Sequence, residues 1–262
     1  MNEVPEFISV GALGEGFAVD SNILPENSGL DGRSLTLRFH GGRVHECAIR
    51  DGGTVAWDGR EFTGRITSIR NDIYFVDFLI GEDAKESVSL VVDTSTGQVT
   101  MVEGSLPDEA EAFVGAFERV RDNKELTGVG ATISHGTLDG GPGGVPHAPT
   151  EELVGLRNRY RYSPGEVYEH VYLNENSYTW HCLEGSERGL CDTDRCHYIK
   201  VAEKLYLFIW REKIIPTLGV ILIDMDRLKT DGKIFGHKGF DFTSYVNFKV
   251  GAAADVLNET RY

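Results

Sequence analysis

LVGLRNRYRYSPGEVYEHVYLNENSYTWHCLEGSERGLCDTDRCHYIKVAEKLYLFIWRE, residues 153–212, decides the fold of this chain of 262 residues. Large apolar and polar residues alternate along it, with turn residues such as Pro164-Gly165 between the runs. Period-two alternation between turn signals marks antiparallel strands that bury one face. The same stretch gathers groups able to do acid–base work: Tyr160, Tyr162, His181, Arg188, Arg211 and Glu212.

Working outward, the chain repeats itself. A shift of 123 residues takes Leu30-Asp31-Gly32 to Leu153-Val154-Gly155 and Arg38-Phe39 to Arg161-Tyr162. It also takes Gly42, Val44 and Glu46 to Gly165, Val167 and Glu169. Beyond loop insertions, IYFVDFLI at Ile73 to Ile80 matches LYLFIWRE at Leu205 to Glu212, and Val91 to Asp93 matches Leu222 to Asp224. A collinear series of this kind predicts internal duplication. Each copy reads as roughly seven or eight short strands joined by tight turns, which is what an up-and-down barrel needs to remove its sheet edges. An eight-stranded barrel leaves room inside for side chains or one small ligand.

One helix is predicted near residues 107–122. Ser105-Leu106-Pro107-Asp108 gives a start signal, and Ala110, Phe113, Val114, Phe117 and Val120 fall on one face at helical spacing. It is expected outside or across the mouth of the first barrel. The Gly/Pro-rich run at 139–150 reads as a linker. The predicted domains are 25–138 and 150–258.

The run HAPTEELVG…YRYSPGEVYEHVYLNEN…TWHCLEG…DTDRCHYIKVAEKLYLFIWREKIIPTLGV resembles the MoaF family over most of the chain. That resemblance implies two calycin (lipocalin-like) barrels in tandem, in agreement with the repeat. The second copy also resembles the phenolic acid decarboxylases, which are single calycin barrels. Their YxY is similar to Tyr160-Arg161-Tyr162, and their W-x-E to Trp210-Arg211-Glu212, with YIKVAEKLYLFIW aligning without gaps before it. Their arginine matches Arg188 after a shift of one residue. In that family the tyrosines, the arginine and the glutamate surround the substrate, grip its polar ends and move a proton. Nothing in the chain is similar to a pterin or nucleotide site: there is no P-loop, no CxxC pair and no GxGxxG after a strand.

Tyr160 and Tyr162 share a parity and so one face of a strand. Their counterparts in the first copy are Leu37 and Phe39, apolar at both places. Glu212 has Ile80 as its counterpart, which predicts an inward position. A carboxylate facing an apolar lumen has its pKa raised by desolvation, suiting it to proton transfer near neutral pH. Arg188 or Arg211 would balance the charge of an anionic ligand, His181 could reach the lumen, and Trp180 and Trp210 would wall a flat apolar ring. Each has a plainer reading as well: strand tyrosines, a solvent ion pair, a turn arginine, a core histidine.

The net charge of −15 and the lack of a basic run exclude the phosphate-neutralising face of a nucleic-acid binder. No apolar run approaches the ~18 to 20 residues of a membrane span. MNEVPEFISV lacks the basic and apolar regions of a signal peptide, which predicts a cytoplasmic protein. Cys47, Cys182, Cys191 and Cys196 lack CxxC spacing and read as free thiols, with no metal and no cofactor expected. The chain is thus predicted to be mainly β, two tandem antiparallel lipocalin-like barrels with one helix between them. The C-terminal barrel is expected to bind a small aromatic or unsaturated organic acid and perform cofactor-free acid–base chemistry of decarboxylase, lyase, hydratase or isomerase type. Tyr160, Tyr162 and Glu212 would be catalytic, and Arg188, Arg211, His181, Trp180 and Trp210 would bind substrate. The alternative is a non-catalytic carrier or sensor. A homo-oligomer is compatible with either.

Overall fold

The computed structural model of the protein describes residues 6–81 and 85–261. The signal-peptide reading of the first ten residues falls partly on residues 1–5, which lie outside the described ones. Strands dominate. The first eight are β1 (Ser34–Phe39), β2 (Val44–Arg50), β3 (Thr54–Trp57), β4 (Arg60–Arg70), β5 (Ile73–Ile80), β6 (Glu86–Asp93), β7 (Gln98–Ser105) and β8 (Gly130–Leu138). Each runs antiparallel to the next, and β8 returns to β1 to close a barrel, with Leu37 opposite Leu138 and Phe39 opposite Gly136. Its interior is largely apolar: Leu37, Phe39, Ile49, Val55, Phe78, Leu90 and Met101 are all buried, Ile80 packs against them, and His45 stacks on Trp57 at 4.5 Å.

After a two-residue strand β9 (Ala148–Pro149) the second barrel begins. It consists of β10 (Leu156–Ser163), β11 (Glu166–Asn174), β12 (Ser177–Glu184), β13 (Cys191–Ala202), β14 (Leu205–Glu212), β15 (Thr217–Asp224) and β16 (Lys229–His237). Its eighth side is shared by β17 (Tyr245–Val250), paired to β16, and β18 (Ala253–Glu259), paired to β10. Pairing of β12 with β13 completes the ring, so the chain carries two closed eight-stranded antiparallel barrels in tandem, as the repeat predicts.

Alternation decides what faces inward. On β10, Asn158, Tyr160 and Tyr162 are buried while Arg157 and Arg159 reach outward to Glu169 at 2.8 Å and Asp255 at 2.9 Å. On β11, Tyr168, His170 and Tyr172 join the core and their neighbours face away.

Among the described residues, internal contacts group those within 24–105 with 131–148 as one unit, and 6–23 with 106–130 and 149–261 as the other. The 106–130 segment therefore sorts with the second barrel. Its predicted single helix is two short ones, α2 (Glu109–Ala112) and α3 (Ala116–Arg121), placed after a first helix α1 (Val10–Ala18). Gly115 is extended (φ −67°, ψ 154°) and caps α3, so the helix breaks there. Asp108 caps α2 by accepting from the Glu111 N–H at 2.8 Å. The stripe expected to pack on the first barrel is exposed, Phe117 at 84%. The segment's ties run to the second barrel instead: the Thr127 hydroxyl donates to the Glu212 carbonyl at 2.7 Å, and Arg211 donates to the Val129 carbonyl.

Helix α1 was not predicted. Ser9 caps it, accepting from the Ala12 N–H, but Gly11, Gly14 and Gly16 depress its helical propensity. These glycines are what let it lie close to the second barrel. A Cβ at Gly11 would stand 2.6 Å from the Lys238 carbonyl oxygen, and one at Gly16 would stand 2.6 Å from the Glu166 carboxyl.

Candidate functional site

The second barrel's lumen is lined at one end by Tyr162, Tyr168, His170, Tyr178, Trp180, Glu187, Trp210, Glu212 and Ile234, and α1 closes it with Leu13 and Phe17. Phe17 stacks on Tyr162 with ring centres 4.5 Å apart and meets Tyr168 and Phe248 edge-on. What remains is a cavity of about 30 Å³, room for one or two water molecules.

Glu212 ends β14, and its carboxyl turns inward beside Trp210, two residues back on the same face. The Trp210 indole N–H donates to it at 2.9 Å. Burial raises the Glu212 pKa well above the ordinary carboxylate value, and the Asp194 charge raises it further. The Trp210 hydrogen bond offsets a part of this. Asp194 itself is buried, accepts from the Trp180 N–H at 3.0 Å, and is also raised by burial. Glu187 accepts from the Tyr168 hydroxyl at 3.1 Å, and burial raises it too. Lys213, the residue after Glu212, is occupied by Asp192 and Asp194.

His170 stands deeper, among Tyr160, Tyr172, Tyr178, Phe208 and Trp210, the first with ring centres 4.8 Å away. Its Nδ1 is buried with no hydrogen-bond partner among the described residues. Burial pushes its pKa down to about 3, so the ring is neutral at pH 7.

Of the residues predicted from sequence, the structure brings together Tyr162, Trp180, Trp210 and Glu212. Tyr160 is buried one layer deeper. Its hydroxyl is 2.7 Å from that of Tyr172 and accepts from the Asn158 amide at 3.0 Å, with burial pushing its pKa up to about 12. The two phenols thus do not converge on one ligand atom.

Three expectations need correction. His181 lies between the inward residues Trp180 and Cys182, so strand alternation turns it away from the lumen. Arg211 lies between Trp210 and Glu212 and is likewise turned out, near Glu125 and the Val129 carbonyl. Arg188 sits exposed in the turn after β12; its neighbour Glu187 is the residue that reaches the cavity. Among the described residues, no cationic side chain lines the cavity. Sequence reasoning missed Tyr168 and His170, which share parity with Tyr172 and so were open to the same alternation argument. It also missed Glu187 and the α1 pair, for which the alternation gives no signal.

No described helix is long and apolar enough to cross a membrane, and no cluster of histidine, cysteine and carboxylate residues able to hold a metal occurs among the described residues.

The comparisons with known proteins agree over both halves. The MoaF N-terminal domain matches residues 5–108 and the MoaF C-terminal domain matches residues 147–260. Protein MoaF of Klebsiella aerogenes is 48% identical over 256 residues, covering 98% of this chain and 97% of that protein. Among solved structures, a putative beta-lactamase from Burkholderia vietnamiensis is 14% identical and covers 42% of this chain and 98% of its own, with a TM-score of 0.35, too low to carry an argument. With both domains matched in order and a relative this similar along nearly its whole length, the chain belongs to the MoaF family.

Proposed function

We propose that the second barrel binds a small aromatic or unsaturated molecule in its lumen and exchanges a proton with it through Glu212. The observation that carries this reading is a buried carboxyl, held by the Trp210 N–H and facing an enclosed lumen lined by aromatic and acidic side chains. Burial raises its pKa well above the ordinary carboxylate value, toward the range a general acid or base needs. Trp180, Trp210, Tyr162 and Tyr178 supply flat walls for a ring. Isomerisation needs only the movement of a proton; elimination adds the departure of a leaving group and hydration the addition of water, and each uses the same proton transfer. Decarboxylation is the least served of the expected reactions, since Arg188 and Arg211 both lie outside the lumen and a substrate carboxylate would meet no cation. The first barrel, whose interior is largely apolar, serves as scaffold. The four free thiols support the expected reducing, cytoplasmic setting.

The test is a panel of aromatic acids, phenols, amines and hydroxycinnamates incubated in D2O with the wild type and with Glu212→Gln. Mass spectrometry then follows consumption or carbon-bound deuterium. A compound converted or deuterated by the wild type and spared by the variant is the expected result. Compounds that stabilise the protein yet return unchanged and unlabelled from both would make it a carrier, with no proton-transfer role for Glu212.

A further inference from the structure

The Trp180 and Trp210 N–H groups are already donated to Asp194 and Glu212, and the Tyr168 hydroxyl to Glu187. What faces the cavity with capacity to spare is the carboxyl groups of Glu212 and Glu187, the neutral His170 imidazole, whose Nδ1 has no partner among the described residues, and the hydroxyls of Tyr162 and Tyr178, which can donate or accept. A buried acceptor without a donor costs free energy, so a complementary ligand brings donors. The walls are aromatic faces, which carry negative quadrupole density and attract a cation. An anion would meet two carboxyl groups, no cation and the same negative faces.

We infer that the ligand of the second barrel is a small organic amine, held as its ammonium ion by Glu212 and Glu187 with the His170 ring accepting beside them. An ammonium group carries three donors and no acceptor, which matches two carboxylates and an imidazole in the tautomer that leaves its free nitrogen to accept. The inference rests on the reading of this lumen as a small-molecule site and names its ligand class. The arithmetic of protons is simple: a neutral amine takes the proton that burial keeps on Glu212, or an ammonium ion displaces that proton to solvent, and both routes end in the same ion pair. A ring needs the place that Phe17 fills, stacked on Tyr162 at 4.5 Å, and the Phe17→Ala chain supplies that room directly.

The test uses three probes of one size and different charge: benzylamine, benzyl alcohol and benzoate. Each is titrated by calorimetry into the full chain as wild type, as Phe17→Ala, and as Phe17→Ala with Glu212→Gln. In the Phe17→Ala chain the lost ring leaves room that any of the three can fill, so size does not decide the outcome. The expected result is that benzylamine binds at least about tenfold more tightly than the other two, and that Glu212→Gln removes this preference while leaving benzyl alcohol unaffected. Benzoate or benzyl alcohol binding as tightly as benzylamine would overturn the amine assignment and leave the lumen a ligand site. No binding of any probe, even with Phe17 truncated, would overturn both the amine assignment and the reading of the lumen as a ligand site.

Discussion

The Trp210 indole lies against Gly219, its register partner on the neighbouring strand, so closely that a Cβ on Gly219 would stand 2.1 Å from the ring. Gly219 has no unusual need for backbone freedom; its use here is to leave space. Since Trp210 in turn holds the Glu212 carboxyl, the glycine positions the candidate acid at one remove. Gly219→Ala should destabilise the protein by about 1–3 kcal/mol, the usual cost of overpacking. It should also shift the emission of the displaced indole. Urea denaturation and fluorescence, with Trp57 replaced by Phe to silence the first barrel, would read both.

The raised carboxyl of Glu212 has a stability consequence with a definite sign. Its folded pKa lies above its unfolded value, so between the two the folded state holds a proton that the unfolded chain has lost. Stability therefore falls as pH rises through the unfolded carboxyl value, about 4.3, and keeps falling until the folded pKa is reached. Glu212→Gln, which keeps an oxygen for Trp210, should be more stable than the wild type by a margin that grows with pH over this range. Urea midpoints at a series of pH values would show it; a constant margin would mean Glu212 titrates normally.

His170 works in the opposite direction. Its ring is neutral in the fold with a pKa near 3, against an ordinary value of 6.5. As pH falls below the ordinary value the unfolded chain gains a proton that the folded chain refuses, so stability is lost on acidification. The slope approaches about 1.4 kcal/mol per pH unit until the folded pKa is reached. His170→Phe should flatten this acid limb, and the difference between the two curves below pH 6 is the measurement.

Phe17 is 3% exposed and seals the lumen from outside. Truncation to alanine should cost about 3–5 kcal/mol, and quenching of Trp180 and Trp210 by acrylamide should rise while that of Trp57 stays the same. Equal quenching of all three would show that α1 does not guard the second lumen.

The strands and their inward residues were legible because period two is a local property. It reads Tyr160, Tyr162, Trp180, Trp210 and Glu212 correctly to the inner face. Applied strictly, it also forbids pairing Trp180 with His181, or Trp210 with Arg211, as lumen residues, since neighbours on a strand face opposite ways. The same rule would have placed Tyr168 and His170 inside from Tyr172. Glu187 and Arg188 were not separable, because a turn has no period to say which neighbour points in. Helix α1 was illegible for a tertiary reason: Gly11, Gly14 and Gly16 look like helix breakers until the backbone they approach is known. The single helix near 107–122 failed through Gly115, which an apolar stripe at helical spacing overrode on paper.

Phe17 comes early in the chain, yet it meets Tyr162, Tyr168 and Phe248, more than a hundred residues later. The first barrel is therefore an insertion within the unit that the helix completes. A ribosome delivers the helix long before its seat exists, and it must wait, apolar face uncovered, while an entire barrel is made and folded. Severing the gene at the Gly/Pro run would give two halves matching the repeat, but the helix would leave with the wrong one. A second barrel expressed alone would need the first two dozen residues supplied in trans, and its solubility with and without that peptide would measure what the insertion conceals.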